Sequence, residues 1–163
     1  METSILYKTA AWMTALNCFD NSSREERELI QKKFYLCRYF GVNIPFYFVW
    51  KKYGVFSPEL SYAANTVIKY APKFCNAYEL TLKEQKIIDY INNLELQIEK
   101  RSLMMDESSF YQLLADMIYA ETEVFLYGKS DVAQFLRNTY PVYKEDFNGT
   151  YAIFSSMRRK LFS

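Results

Sequence analysis

The sequence contains no histidine among its 163 residues. This absence excludes serine–histidine and cysteine–histidine nucleophile pairs, zinc sites with imidazole ligands, and the commonest general base near neutral pH. Glycine is scarce, with four residues, and neither a GxxxxGKS/T loop nor a GxGxxG turn occurs. The familiar histidine-dependent and nucleotide-dependent enzymes are therefore excluded, and we expect no catalytic residues and no cofactor.

Proline is as scarce as glycine, with four residues, which argues against a loop-rich or all-β fold with many tight turns. Hydrophobic residues make up 50% of the chain and aromatic residues 18%, including 15 Tyr and 13 Phe. Such a composition favours a packed core over disorder. We therefore expect a mainly α-helical bundle that forms a single domain over residues 1–163.

The three cysteines, Cys18, Cys37 and Cys75, are odd in number and widely spaced, and no CxxC motif occurs. This spacing favours free, reduced thiols over a zinc or disulfide framework. No run of about 18 apolar residues is present, and the N-terminal segment lacks the pattern of a signal peptide. We expect a cytoplasmic protein with no membrane partner.

The formal net charge is +1, but the two halves of the chain differ. Residues 1–78 contain ten Lys or Arg against six Asp or Glu, a balance of +4, whereas residues 79–163 contain ten against thirteen, a balance of −3. Neither half has the dense positive charge typical of an obligate nucleic-acid binder. A surface of mixed charge is the expected result.

Helix-start signals divide the chain into six or seven helices. Ser23, Ser57, Thr81 and Asp106 each precede a segment with apolar residues at three- and four-residue spacing, as N-caps do. Gly41 and Gly128 are predicted helix stops. The predicted helices are 3–18, 23–41, 58–70, 81–101, 106–128, 131–138 and 143–157. In the second of them, Arg27, Gln31, Lys32 and Arg38 should lie mostly away from the apolar face. Pro141 closes helix 131–138, and the last helix has a basic end, Arg158, Arg159 and Lys160, that suits the negative end of the helix dipole.

An aromatic segment from Ile44 to Phe56 separates the second helix from the third. Aromatic side chains favour extended structure, while Pro45 restricts a strand to an edge or a start. We expect a short strand or hairpin within residues 44–56.

The segment from Tyr53 to Leu60, Tyr-Gly-Val-Phe-Ser-Pro-Glu-Leu, resembles the YGPYS or YGPFS signature of the YwgA-like proteins and of the related Panacea (SocA-like) antitoxin domain. Residues 31–36, 46–48, 113–119 and 140–144 resemble further segments of these families, in the same order, so that the resemblance covers about residues 24–157. The chain departs from the pattern at Val55, Asp116 and Tyr140.

The resemblance implies a small helical domain with winged-helix character that acts by direct contact with a toxin or another protein. Our leading hypothesis is a non-enzymatic interaction or regulatory domain whose partner is another protein or a second copy of the chain. Because Tyr and Trp commonly anchor interfaces, we expect an aromatic contact surface, although at least half of these rings should fill the core. The predicted partner-binding residues are Tyr47, Trp50, Tyr53, Gly54, Phe56, Ser57, Pro58 and Glu59.

Two alternatives remain open from the sequence. The first is a DNA- or RNA-binding regulator with a degenerate winged helix, in which Lys32, Lys33, Arg38, Lys51 and Lys52 contact phosphates. The helix after Ser57 offers few base-reading side chains, and Glu59 near its start would repel phosphate. The second alternative is a carboxylate-based metal hydrolase with Asp116, Glu121 and Glu123, although we expect no metal there.

Overall fold

The computed structural model describes residues 1–137 and 144–157. Within these ranges, seven helices have nine or more residues and two are shorter. A hairpin of two short antiparallel strands lies between the second and third helices, so the predicted mainly helical fold with a hairpin is confirmed. The elements are α1 (Thr3–Ala15), α2 (Arg24–Phe40), β1 (Val49–Lys51), β2 (Gly54–Phe56), α3 (Pro58–Lys69), α4 (Ala71–Phe74), α5 (Leu82–Leu94), α6 (Leu96–Lys100), α7 (Glu107–Thr122), α8 (Lys129–Arg137) and α9 (Lys144–Met157).

Side-chain caps explain where four of the helices begin. The side chains of Ser23, Ser57, Thr81 and Asp106 each accept a hydrogen bond from the backbone N–H three residues later. At the start of α5 the exchange is reciprocal, because the Glu84 carboxylate also accepts the backbone N–H of Thr81 at 2.9 Å. All four predicted N-caps are confirmed.

The predicted C-terminal ends of the helices are less accurate. Gly41 ends α2 at a φ of +112°, as expected, but α7 ends at Thr122 and not at Gly128. The chain leaves α7 through Phe125, which adopts a left-handed φ of +59°, and the N–H of Leu126 bonds to the carbonyl of Ala120. The predicted helix 81–101 is split at Glu95 into α5 and α6, and α4 was not predicted. The predicted turn at 140–143 and the basic end at 158–160 lie outside the described residues.

Helix α2 lies at the centre of the domain, and every residue from Glu28 to Cys37 is buried. It packs against α7, α5, α3 and the hairpin. The prediction that Gln31 and Lys32 lie away from the packed face of this helix is therefore wrong, because these neighbours cover the whole stretch from Glu28 to Cys37. Polar side chains in such a position must find partners inside the protein.

One cluster of buried apolar side chains includes residues of α1, α2, α3, α5, α7, α8 and α9. Trp12, Phe34, Phe110 and Tyr111 are among the largest side chains within it, and rings such as Trp12 and Phe34 meet edge to face. No helix of the described residues has the length and apolar character needed to cross a membrane.

The α5 cap generates the first prediction. Glu84 also accepts hydrogen bonds from the indole N–H of buried Trp12 at 2.6 Å and from the hydroxyl of Tyr78 at 2.8 Å. Thr81→Ala should lower the free energy of unfolding by about 1 kcal/mol, the usual value of a cap. Glu84→Ala should lower it by roughly 2–3 kcal/mol, because the Trp12 N–H also loses its acceptor. Urea unfolding measures both, with the exposed Glu79→Ala as control. Equal effects of Glu84→Ala and Glu79→Ala would contradict this account.

Candidate functional site

A buried lysine holds the hairpin against the centre of the domain. The Lys32 side chain is fully buried, and its ammonium donates hydrogen bonds to the backbone carbonyls of Tyr53 at 2.9 Å and Val55 at 2.6 Å. These carbonyls lie in the turn and in β2, so one charged group of α2 fixes both. The side-chain amide of Gln112, from α7, donates to the same Tyr53 carbonyl at 3.1 Å.

Two carboxylates complete the surroundings of this ammonium. Glu28 Oε2 lies 3.4 Å and Asp116 Oδ1 lies 3.6 Å from Lys32 Nζ. Asp116 Oδ1 also accepts the backbone N–H of Val55 at 3.0 Å, so α7 and α2 both bond to the same strand residue. We call Glu28, Lys32 and Asp116 the buried charge network.

The pKa of Asp116 reflects this setting. Burial, together with a smaller contribution from the neighbouring Glu28 carboxylate, raises the pKa of its carboxyl from 3.8 to about 6. The Lys32 ammonium and the Val55 N–H act in the opposite direction but do not outweigh burial. Asp116 therefore changes its charge near pH 6 in the folded protein.

Gln31 fixes the end of the hairpin to the start of α3. Its side-chain amide donates to the carbonyl of Ser57 at 3.0 Å, and its side-chain oxygen accepts the N–H of Ser57 at 2.8 Å. The Ser57 hydroxyl in turn caps α3 at Leu60. The Ser57–Pro58 junction is thus held by α2 on one side and begins a helix on the other.

Gly54 is needed where the hairpin meets Asp116. It follows the two-residue turn at Lys52 and Tyr53 and has a φ of +97°, a conformation that side chains rarely adopt. A Cβ placed there would lie 2.6 Å from Cγ of Asp116 and closer still to both of its oxygens. The fold therefore requires a glycine at this position, whether or not a partner binds.

The structure separates the eight predicted partner-binding residues. Tyr47, Pro58 and Glu59 are exposed, whereas Gly54 and Ser57 are buried and belong to the framework. Trp50, Tyr53 and Phe56 are half-buried.

The predicted rings do not share one surface. Trp50 pairs with Val55 and Val49 with Phe56 across the hairpin, so Trp50 and Phe56 point to opposite faces. Tyr53, at the turn, packs beneath the guanidinium of Arg24 at 4.7 Å. The prediction of a single aromatic surface with all of these rings is therefore wrong.

A different aromatic group forms on the Trp50 side. Trp50 stacks on Tyr119 of α7 with ring centroids 5.0 Å apart, and it contacts Phe135 of α8 at 4.8 Å. Burial raises the pKa of Tyr119, and Glu123 and Tyr47 add to this effect, so Tyr47 lies within electrostatic range of this group. We call Tyr47, Trp50, Tyr119 and Phe135 the aromatic surface. The sequence did not single out Tyr119 or Phe135, since neither lies near the hairpin in the chain.

The predicted cationic patch does not form as a group of five. Lys32 is in the buried charge network, and Lys33 is buried with its ammonium bonded to the carbonyl of Leu16 at 2.8 Å and to Glu107 at 3.1 Å. Arg38 is exposed but donates to the carbonyl of Phe46. Only Lys51 and Lys52 of the five lie in the exposed part of the hairpin. The prediction for Lys32 and Lys33 is wrong, because α2 is covered where they lie.

The carboxylates of the metal-hydrolase alternative do not form one group either. Asp116 is fully buried and faces Lys32 and Val55, whereas Glu123 is exposed at the end of α7. Among the residues that the structure describes, no three His, Cys, Asp or Glu side chains are grouped closely enough to hold a metal ion. Asp116 is thus part of the framework beneath the hairpin.

A small cleft of about 120 Å³ opens on the Phe56 side of the hairpin, between α2 and α3. Glu28, of the buried charge network, is in its wall together with Asn21, Arg27, Gln31, Phe56 and Asn65. Two larger grooves, of about 470 and 500 Å³, lie along α5–α6 and α8 and reach α9. Neither contains a buried charged side chain, so the small cleft has the more distinctive chemistry.

Comparison with known proteins adds no relative, because no family model, curated protein or solved structure matches this chain. The resemblance to the YwgA-like and Panacea families therefore stays a prediction based on the motifs quoted above.

The contact between Gly54 and Asp116 generates a second prediction. Gly54→Ala should lower the free energy of unfolding by roughly 2 kcal/mol or more, because the methyl group collides with the Asp116 carboxylate and the positive φ is strained. Gly128→Ala is the matched control, since its Cβ would meet only Asp131 Oδ2 at 3.8 Å. Chemical denaturation compares the two. A Gly54→Ala protein as stable as Gly128→Ala would show that the hairpin does not press on Asp116.

The raised pKa of Asp116 generates a third prediction. Between about pH 4 and pH 6 the folded protein retains a proton at Asp116 that the unfolded chain has released. This group therefore lowers the free energy of unfolding as pH rises through that window, by roughly 3 kcal/mol in all. Asp116→Asn keeps the oxygen that accepts the Val55 N–H but cannot ionise. Its stability relative to wild type should increase by about that amount from pH 4 to pH 7.

Denaturation at several pH values measures this difference, and other titrating groups cancel because both proteins share them. Asp89→Asn, at an exposed position of α5, is the control and should follow wild type. A constant difference between Asp116→Asn and wild type over the whole range would show that folding does not shift the pKa of Asp116.

Proposed function

We propose that this chain is a non-enzymatic interaction domain, antitoxin-like in its mode of action, that regulates another protein by direct contact. The observation that supports it is the aromatic surface, where Tyr47, 68% exposed, lies within electrostatic range of Tyr119, on which Trp50 stacks. Exposed aromatic rings are typical of interface centres, because they bury a large area with few rotatable bonds.

The rigidity of this region favours binding. Tyr47 is held by the hydrogen bond from its N–H to Glu59 Oε1 at 3.2 Å, and Trp50 is packed between α7 and α8. The hairpin beneath them is fixed by Lys32 and Asp116. A surface that is ordered before a partner arrives loses less conformational entropy on binding.

The cytoplasm is the compartment that we propose for this function. Cys18, Cys37 and Cys75 are free thiols, and burial raises the pKa of both Cys18 and Cys37, which keeps them in the unreactive protonated form.

A site-specific photo-crosslinker tests the proposal. Incorporated at position 47 and irradiated in the native host, it should give one discrete protein adduct, either with a different protein or with a second 19.4 kDa copy of the chain. The same crosslinker at Leu82, which is more exposed but lies on α5, is the control and should give no such adduct.

With the partner in hand, Tyr47→Ala should weaken binding by about tenfold or more, as expected for an interface anchor. Its free energy of unfolding should stay within about 0.5 kcal/mol of wild type, because the ring is exposed. Identical adducts from positions 47 and 82, or no adduct from either, would contradict the interaction proposal. A salt-sensitive shift of duplex or single-stranded probes would instead favour the nucleic-acid alternative.

A further inference from the structure

The loop between α7 and α8 exposes large apolar side chains to solvent. Val124, Phe125 and Tyr127 are 37%, 67% and 70% exposed, whereas Leu126 is half-buried. We call Val124, Phe125 and Tyr127 the exposed loop. Single apolar residues at a surface are common, but neighbouring ones with polar residues around them are typical of a contact site.

The backbone of the exposed loop is strained at Phe125. Its φ of +59° is in the left-handed region, which an aromatic residue rarely adopts and a glycine adopts freely. Two hydrogen bonds hold the turn on either side of it, from the N–H of Glu123 to the carbonyl of Tyr119 at 2.9 Å and from the N–H of Leu126 to that of Ala120 at 3.1 Å. Strain of this kind is concentrated at functional sites, where the side chain is needed in that place.

The groove along α5 and α6 has the chemistry that suits such a loop. Its volume of about 470 Å³ lies within the roughly 300–1,000 Å³ of typical binding pockets. Leu94, Met157 and the exposed Leu96 give it apolar walls, and Lys100 and Arg101 line it as well. None of the described residues that line the groove is a carboxylate. An aromatic ring accompanied by a negative charge fits these walls, because a guanidinium both stacks on rings and pairs with carboxylates.

The charges beside the exposed loop are opposite to those of the groove. Glu121 and Glu123 directly precede the loop, against one cation, Lys129, after it. Glu123 is exposed and adjoins Val124 in the chain. Opposite charges at the edge of an apolar contact favour its formation and fix its orientation.

The exposed loop and the groove lie towards opposite ends of α7. The hydroxyl of Tyr111, in the first turns of α7, donates to the carbonyl of Ile91 near the end of α5 at 2.6 Å, so the groove is close to the start of α7. The exposed loop follows the last residue of α7, Thr122. A helix of 16 residues is about 24 Å long. The loop therefore does not reach the groove of its own chain, whereas the loop of a second copy can.

We propose that the exposed loop of one copy inserts into the α5–α6 groove of a second copy, so that the chain associates with itself head to tail. Such a contact joins two different surfaces, and each copy keeps one surface of each kind for a further neighbour. Association of this type continues into rings or filaments and does not stop at a dimer. It goes beyond the proposed function, because it does not use the aromatic surface.

Sedimentation velocity of the purified chain over a range of concentrations tests the proposal. The average mass of the wild-type protein should rise with concentration above that of the 19.4 kDa monomer and beyond that of a dimer. Phe125→Gly should abolish this rise because it removes the inserted ring. The same variant should have a higher urea midpoint than wild type, because glycine relieves the left-handed strain. Tyr62→Ala, which removes an exposed ring from α3, is the control and should associate as wild type does.

A mixture of two variants tests the head-to-tail geometry. Leu96→Glu places a carboxylate in the groove but keeps the loop, whereas Phe125→Gly keeps the groove and lacks the ring. Each variant alone should stay monomeric. Mixed in equal amounts, they should form a 1:1 heterodimer that grows no further, because one loop and one groove remain complementary. Leu82→Glu, at an exposed position of α5 outside the groove, should associate as wild type does.

Three results would overturn the proposal: a wild-type protein that is monomeric at every concentration, a mixture of the two variants that stays monomeric, or a photo-crosslinker at position 125 that captures only a different protein. The last result would assign the exposed loop to that protein. Crosslinking at position 47 in the Leu96→Glu protein tests the proposed function separately, because Leu96 lies outside the aromatic surface. Failure of self-association and failure of the interaction proposal can therefore be told apart.

Discussion

The structure depends on one buried ammonium, that of Lys32. Four oxygens surround it, two from the hairpin backbone and two from the carboxylates of Glu28 and Asp116. Removing one member of such a group leaves an unpaired charge in the interior, which typically destabilises a protein by about 3–5 kcal/mol. A buried ion pair adds little net stability compared with apolar packing, but it accepts only one arrangement of its partners. Its main effect here is to fix where the hairpin lies.

The position of the hairpin then decides which side chains lie on each of its two faces. Alternation along the strands directs Trp50 towards α7 and α8 and Phe56 towards α2 and α3. One face therefore presents stacked aromatic rings and the other a small polar cleft whose wall includes Glu28. Lys32 and Asp116 both bond to the backbone of Val55 in the strand between these faces, so the charge of Asp116 and the position of the hairpin are physically coupled.

Local signals in the sequence predicted much of the fold. Ser23, Ser57, Thr81 and Asp106 were recognised as caps because capping needs only a side chain and an amide three residues away. The end of α7 was missed because no glycine marks it, and Phe125 takes the left-handed conformation instead. For the candidate site, the segment around Tyr53 to Glu59 was found, but Tyr119, Phe135 and Glu28 were not. One signal was available in Asp116, a lone carboxylate within the apolar run 113–118, which indicates a buried charge that needs a partner.

The sequence by itself determined the helical class, the cap positions, the hairpin region and the absence of histidine chemistry, because each depends on residue type or on neighbours within one turn. Only the tertiary structure decided that Lys32 and Lys33 are buried, that Trp50 and Phe56 face apart, and that Glu28 opens into a cleft. The amphipathic pattern predicts that a lysine lies on the solvent side of a helix, and this prediction is correct when only one face of the helix is packed. It fails for α2 because α7, α5, α3 and the hairpin enclose the helix from several directions, and these neighbours come from distant parts of the chain.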